Sequence, residues 1–154
     1  MAVSIRTATH DDLATLRAFE QGIVAAERPF DPTLAPDPIT YHDIPALIDS
    51  ATAEVLVAVE DGALVGCGFA RVEAAKAYEA HRQFALIGMM YVTPEARGLG
   101  VAGHILEALE TWARMRGIDE CRLEVYADNA TAMRAYQRAG YVPHMVTMRR
   151  VRPA

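Results

Sequence analysis

The chain has 154 residues, which at roughly 150 residues per domain predicts a single domain with room for a real core. Hydrophobic residues make up 52% and charged residues 23%, a globular balance that argues against disorder. With Lys+Arg 15 against Asp+Glu 20 the net charge is −5, so neither nucleic acid nor an anionic membrane is expected as a partner.

In chain order, residues 3–6 read as a short opening strand. Thr9 with Asp12 three residues on makes a capping box, and Leu13, Leu16, Phe19 and Ile23 follow at helical spacing to about Ala26. Pro29, Pro32, Pro36 and Pro38 make residues 27–40 an irregular loop. A second helix begins near Asp43, with Pro45 in its first turn, and reaches about Ser50. Residues 53–60 and 63–72 read as an antiparallel hairpin around the turn Asp61-Gly62. A polar loop over 73–82 leads into 84–92, an apolar run typical of a central strand covered on both faces.

Val101, Ile105, Leu106, Leu109 and Trp112 then line one face of a helix that Gly117 stops. Cys121, Leu123 and Val125 alternate with Arg122, Glu124 and Tyr126, predicting a strand. Asp128 or Asn129 caps a further helix ending at Gly140, and residues 141–151 read as the last strand. The resulting order is βααβββαβαβ, an α/β (α+β) domain with a mixed central sheet flanked by helices.

Cys67 and Cys121 are too few for a disulfide framework and read as two buried free thiols in a reducing compartment. Arg6, Asp11 and Asp12 leave no secretory apolar region, and no window approaches 18 uninterrupted apolar residues. A soluble, cytoplasmic protein is expected. His10, His42, His81, His104 and His144 form no i,i+4 pair, so no metal is expected.

The chemistry gathers at Val92-Thr93-Pro94-Glu95-Ala96-Arg97-Gly98-Leu99-Gly100-Val101-Ala102-Gly103, a glycine-rich turn between a buried strand and an amphipathic helix. The first N–H groups of a helix have no internal partner and sit at the positive end of its dipole, which suits phosphate. A Gly-Lys-Ser/Thr ending is missing, which disfavours a nucleoside-triphosphate loop, and a dinucleotide fingerprint also fits poorly. A plain tight turn stays open as the alternative.

Arg97-x-x-Gly100-x-Ala102 after Val92-x-Pro94 resembles the acyl-CoA pyrophosphate loop of the GCN5-related N-acetyltransferase (GNAT) superfamily. Downstream, Asn129-x-x-Ala132-x-x-x-Tyr136-x-x-x-Gly140-Tyr141 is similar to that superfamily's second motif, and the element order matches its fold. The resemblance implies that the amides of Arg97, Gly98, Leu99, Gly100, Val101 and Ala102 hold the pyrophosphate of acetyl-CoA. Arg97, Arg134 and Arg138 would add charge nearby. Met90, Tyr91 and Val92 would splay from the neighbouring strand and pair with the pantetheine arm, one N–H facing the thioester oxygen. Asn129 would contact the cofactor arm or fix the helix start.

Tyr136 matches the position that protonates the departing thiolate. Many relatives place a basic glutamate on the central strand, but residues 85–92 contain no carboxylate here. Glu124, in a Leu-Glu-Val similar to that of the ribosomal-protein alanine acetyltransferases, is the first substitute, with Glu73 or water as the others. The acceptor side falls to residues 20–40 and 73–82, where Glu20, Glu27 and Asp31 would attract a cationic amine and Arg28 a carboxylate.

These resemblances imply direct attack of a primary amine on acetyl-CoA in a ternary complex, the acceptor being a small molecule or a peptide or protein amine. A homodimer is also expected by resemblance. A non-catalytic acyl-CoA binding or sensing domain is the alternative, and a structural domain without acetyl-CoA affinity is the third reading.

Overall fold

The computed structural model describes residues 2–154. Its elements are β1 (Ser4–Thr7), α1 (Leu13–Glu27), α2 (Ile44–Asp49), β2 (Ala53–Glu60), β3 (Ala63–Ala74), β4 (Gln83–Val92), α3 (Val101–Met115), β5 (Cys121–Leu123) and α4 (Ala130–Arg138). The chain divides into two compact units, one up to Glu124 and one over Val125–Ala154.

The first unit is built on a five-stranded sheet in the order β1-β2-β3-β4-β5. The first four strands are antiparallel neighbours, and β5 joins β4 in parallel through Ala85↔Cys121, Leu86↔Arg122 and Ile87↔Leu123. Leu16 and Phe19 of α1, with Ile44 and Leu47 of α2, pack against Val55, Val57, Cys67, Phe69 and Met89 on one face. On the other face Ile105 and Leu109 of α3 approach Gly66 and Gly68 of β3. The central strands are therefore covered on both faces, as the apolar run in β4 predicts.

Local signals in the sequence act as expected. The Thr9 hydroxyl accepts from the Asp11 N–H (3.3 Å), and the Asp12 carboxylate accepts from the Thr9 N–H (2.8 Å), closing the capping box. Arg6 donates to both Asp12 oxygens at 2.8 and 2.9 Å. The guanidinium holds the Asp12 carboxyl below the usual carboxylate range, working against its burial. Asp43 caps α2 by accepting from the Ala46 N–H (3.1 Å).

The second unit contains α4, capped by Asn129, whose Oδ1 accepts from the Ala132 N–H (3.2 Å). Two expectations change. β5 runs only over Cys121–Leu123, shorter than the alternation through Tyr126 predicts, and its ladder to β4 covers the same three residues. Among the described residues, 141–151 form no strand. The apolar residues there come in adjacent pairs, Tyr141-Val142 and Met145-Val146, which breaks the period of two a half-buried strand needs, and Pro143 removes a donor. Val142, Met145, Val146, Met148 and Val151 are all exposed. Of the two cysteines, Cys67 is buried and Cys121 only half-buried, and neither forms a disulfide.

A Cβ on Gly88 would lie 2.5 Å from Cζ of the fully buried Phe69, while one on Gly68 would meet the movable Met90 sulfur at 2.5 Å. Gly88→Ala is expected to cost about 1–3 kcal/mol by overpacking, more than Gly68→Ala, as read from denaturant midpoints. Asp12→Asn is expected to lose about 1 kcal/mol at neutral pH. Because the folded pKa of Asp12 is depressed, its contribution is present above the ordinary carboxylate range and lost as pH falls through the folded value. Wild type and variant should then converge in acid melts.

Candidate functional site

Two features of the first unit could carry chemistry, and the first is fixed by β4. Its register against β3 runs Phe69↔Gly88 and then Cys67↔Tyr91, so Met89 and Met90 together stand opposite Gly68. That extra residue is a β-bulge, and Met89 takes a left-handed φ of 52° to make it. A left-handed backbone is costly for a side-chain-bearing residue, so its surroundings must hold it. The Cys67 thiol donates to the Met89 carbonyl at 3.2 Å, and Met89 itself is buried. Burial pushes the Cys67 thiol up to about 12, which keeps it a neutral donor.

The bulge coincides with the point where β4 loses its parallel neighbour. Among the described residues the β4–β5 ladder ends at Ile87↔Leu123, while the β3 side continues to Gly66↔Val92. The stretch Met90, Tyr91 and Val92 therefore has no ladder partner on its β5 side among the described residues. Tyr91 is pinned from the other direction. Its ring lies 4.9 Å from Phe19, and a Cβ on Gly22 of α1 would come within 2.7 Å of it.

The turn after β4 is tied down at its base and open at its tip. The Thr93 N–H donates to the Val65 carbonyl (2.8 Å), and Arg97 Nε donates to the Val92 carbonyl (3.0 Å). The Arg97 guanidinium then sits 5.7 Å from the centre of the Tyr91 ring. Gly98 and Gly100 have φ of 79° and 83°, a conformation that glycine adopts without strain.

The first intrahelical bond of α3 runs from the His104 N–H to the Gly100 carbonyl (3.1 Å), leaving the amides of Val101, Ala102 and Gly103 unused by the helix. Side-chain carbons placed on Gly98, Gly100 or Gly103 would meet nothing within 4 Å, so the cradle is open. These amides, the helix dipole and Arg97 fit a diphosphate group.

The second feature is a cavity of about 590 Å³ lined by residues of α1 and of the segment 40–45, among them Arg17, Glu20, Tyr41 and His42. Glu20, only 2% exposed, accepts from the His42 N–H (3.0 Å). Burial raises the Glu20 and Glu27 carboxyls, partly offset by hydrogen bonds from the backbone of residues 41 and 42 and from the Tyr41 side chain respectively. The His42 ring stands edge-on to Phe69 at 4.9 Å, and burial with the nearby Arg71 charge holds it below the ordinary histidine value.

The sequence candidates divide accordingly. Met90, Tyr91, Val92 and residues 97–102 form one continuous strand-and-turn feature. Glu73 is ion-paired with Arg71 (2.7 Å), and Glu124 is exposed just past β5. Arg28 donates to Asp37 (2.6 Å) and the Ala35 carbonyl (2.9 Å), and Asp31 accepts from Thr33, so both serve the loop itself. In the second unit Asn129 acts as a helix cap, the Tyr136 ring lies 6.1 Å from that of Tyr141, and Arg134 and Arg138 are exposed. His42 was not a site candidate from the sequence, since only its place beside Glu20 and Phe69 in space reveals it. Among the described residues no group of three or more His, Cys, Asp or Glu could hold a metal ion.

A mixed sheet whose bulged fourth strand gives up its parallel neighbour just before an open, glycine-rich helix start is an α/β arrangement whose geometry fits a phosphorylated ligand. The chain belongs to the acetyltransferase (GNAT) family, whose sequence model matches residues 18–141. It is 33% identical over 86 residues to an IAA acetyltransferase of Azospirillum brasilense, a match covering 56% of this chain and 52%, about half, of that protein. A mutant of the BH1408 protein from Bacillus halodurans superposes with a TM-score of 0.87 at 20% identity, covering 97% of this chain and 99% of that one. A predicted acetyltransferase with acetyl-CoA from Clostridium acetobutylicum gives 0.73 at 16% identity, covering 97% and 96%.

Gly100→Ala is expected to destabilise by about 1–2 kcal/mol, because alanine must enter a left-handed conformation. Gly103→Ala, in an open helical position, should instead gain about 0.5–1 kcal/mol. Paired chemical denaturation curves check both signs.

Proposed function

We propose that the chain is a single acetyltransferase domain that moves the acetyl group of acetyl-CoA to a primary amine by direct attack in a ternary complex. The observation that carries this reading is the stretch Met90–Tyr91–Val92, without a ladder partner on its β5 side among the described residues, running into the helix-start amides of Val101, Ala102 and Gly103. A strand edge offers a pantetheine arm its amide pattern, and the turn offers the diphosphate its N–H groups. Family membership and an acetyl-CoA-bearing structural neighbour support the donor, and the named relative supports a small-molecule acceptor.

In this scheme the chain binds, orients and moves protons. Arg97 braces the turn through Val92 and places positive charge beside it. One N–H of the β4 edge donates to the thioester oxygen, where negative charge develops as the amine attacks. Tyr136 is the acid by its motif, since a neutral phenol near pKa 10 can donate to a departing thiolate. Asn129 fixes the start of the helix that carries it. The sequence candidates for the base are Glu124, Glu73 and water, but Glu73 is committed to Arg71 and Glu124 is exposed.

The lack of any carboxylate on β4 favours one second reading, a non-catalytic acyl-CoA binding domain. The two separate on turnover. Acetyl-CoA at about 100 times its Kd should stabilise the protein by about 2.7 kcal/mol under either reading. Thiol release across a panel of primary amines should rise above background only for the enzyme. Tyr136→Phe should then lower kcat by about 100-fold with acetyl-CoA affinity unchanged. Full turnover in that variant removes Tyr136 from the acid role.

A further inference from the structure

We propose that His42 accepts the proton of the incoming amine and that the cavity it lines receives that amine, an inference resting on the acetyl-CoA-dependent reading above. The cavity is large enough for a small amine, at about 590 Å³, and its walls are α1 and the segment 40–45. His42 is held in that wall by its backbone, because its N–H donates to the buried Glu20 carboxylate. Its side chain is left for other work. Among the described residues no hydrogen bond engages either ring nitrogen, and the ring is only half-buried.

The ring is also separated from β4 by a single side chain, Phe69. Its edge contacts Phe69, and Phe69 is in register with Gly88, immediately before the bulge at Met89–Met90. The Phe69 ring fills the space a Gly88 side chain would take, so one aromatic ring is packed between His42 and the residue that precedes the bulge. The other charged and titratable groups around the imidazole do not displace it from this role. Arg17 and Glu20 come from α1, Tyr41 and Asp43 from its own segment, and Arg71 with its partner Glu73 from β3. Burial and the Arg71 charge favour the neutral ring, the form able to take a proton.

The proton count closes. The acceptor ammonium gives one proton to the imidazole, which passes it to solvent, and the freed lone pair attacks the thioester carbon. As the C–N bond forms and the C–S bond breaks, the nitrogen sheds a second proton, matching the one the coenzyme A thiolate takes up. One proton is released per turnover.

The test compares wild type, His42→Gln and His42→Ala on the most reactive amine of the panel, as kcat/KM from pH 5 to 9. Glutamine keeps the backbone N–H on Glu20, so folding and the acetyl-CoA thermal shift should be unchanged. Wild type should show an acid limb below the ordinary histidine value of about 6.5. His42→Gln should lose that limb and about 100-fold in rate at pH 7, the gap narrowing at high pH where the amine arrives neutral. Titrating His42 by NMR in the intact protein should give a value below 6.5. A His42→Gln enzyme within threefold of wild type with the limb intact, or an NMR value at or above 6.5, overturns the assignment while leaving the acetyltransferase reading standing. Wild type that binds acetyl-CoA but acetylates no amine overturns both.

Discussion

A strand in the middle of a sheet normally bonds on both edges, and an unused amide buried away from water carries a free-energy cost comparable to a lost hydrogen bond. β4 meets this rule only as far as Ile87, then keeps its β3 partner and gives up β5. The bulge at Met89–Met90 makes the change of state local, since it inserts the extra residue at that point. Nearly every unusual feature nearby serves it. Gly68 makes room for the Met90 sulfur, Gly88 for the Phe69 ring, and Gly66 for the Tyr91 carbonyl. The Cys67 thiol takes up the carbonyl that the left-handed Met89 turns inward.

The same arrangement reconciles an acidic chain with an anionic ligand. A net charge of −5 repels polyanions at long range, but a diphosphate in the turn would feel the first amides of α3 and the adjacent Arg97. Acidic groups gather elsewhere in the unit. Glu20 and Glu27 lie on α1 with raised carboxyls, where a cationic guest would relieve the cost of their burial. The turn thus presents backbone dipoles and Arg97, while the cavity presents side chains of both signs, Arg17 and Glu20 among them.

Much of this was legible in the sequence, for physical reasons that differ by element. The capping box at Thr9 and Asp12, the Asp61-Gly62 hairpin turn and the glycines at 98 and 100 are local signals, and each forms as read. The covered β4 strand follows from its continuous apolar run. The bulge was not legible, because Met89 is an ordinary strand residue whose conformation is imposed by Gly68 and Cys67 on another strand. The pairing of Glu20 with the His42 backbone spans a proline-rich loop that periodicity does not describe. Among the described residues no strand forms over 141–151, where adjacent apolar pairs and Pro143 interrupt the alternation that a half-buried strand needs.

The contact between Gly22 and Tyr91 links the two halves of the site in a way that bears on how such a protein can diversify. Gly22 follows Glu20 and Gln21, which line the cavity, on the same helix that meets the Tyr91 ring. Any larger residue there pushes on the strand that would hold the donor, so α1 is poorly placed to drift without disturbing chemistry common to every acceptor. The opposite wall, residues 40–43, meets the sheet through the His42 ring on Phe69 and is hydrogen-bonded to α1 through Glu20. Selection for a new amine would therefore be channelled into the positions of that wall other than His42, leaving α1 as the inherited half of the pocket.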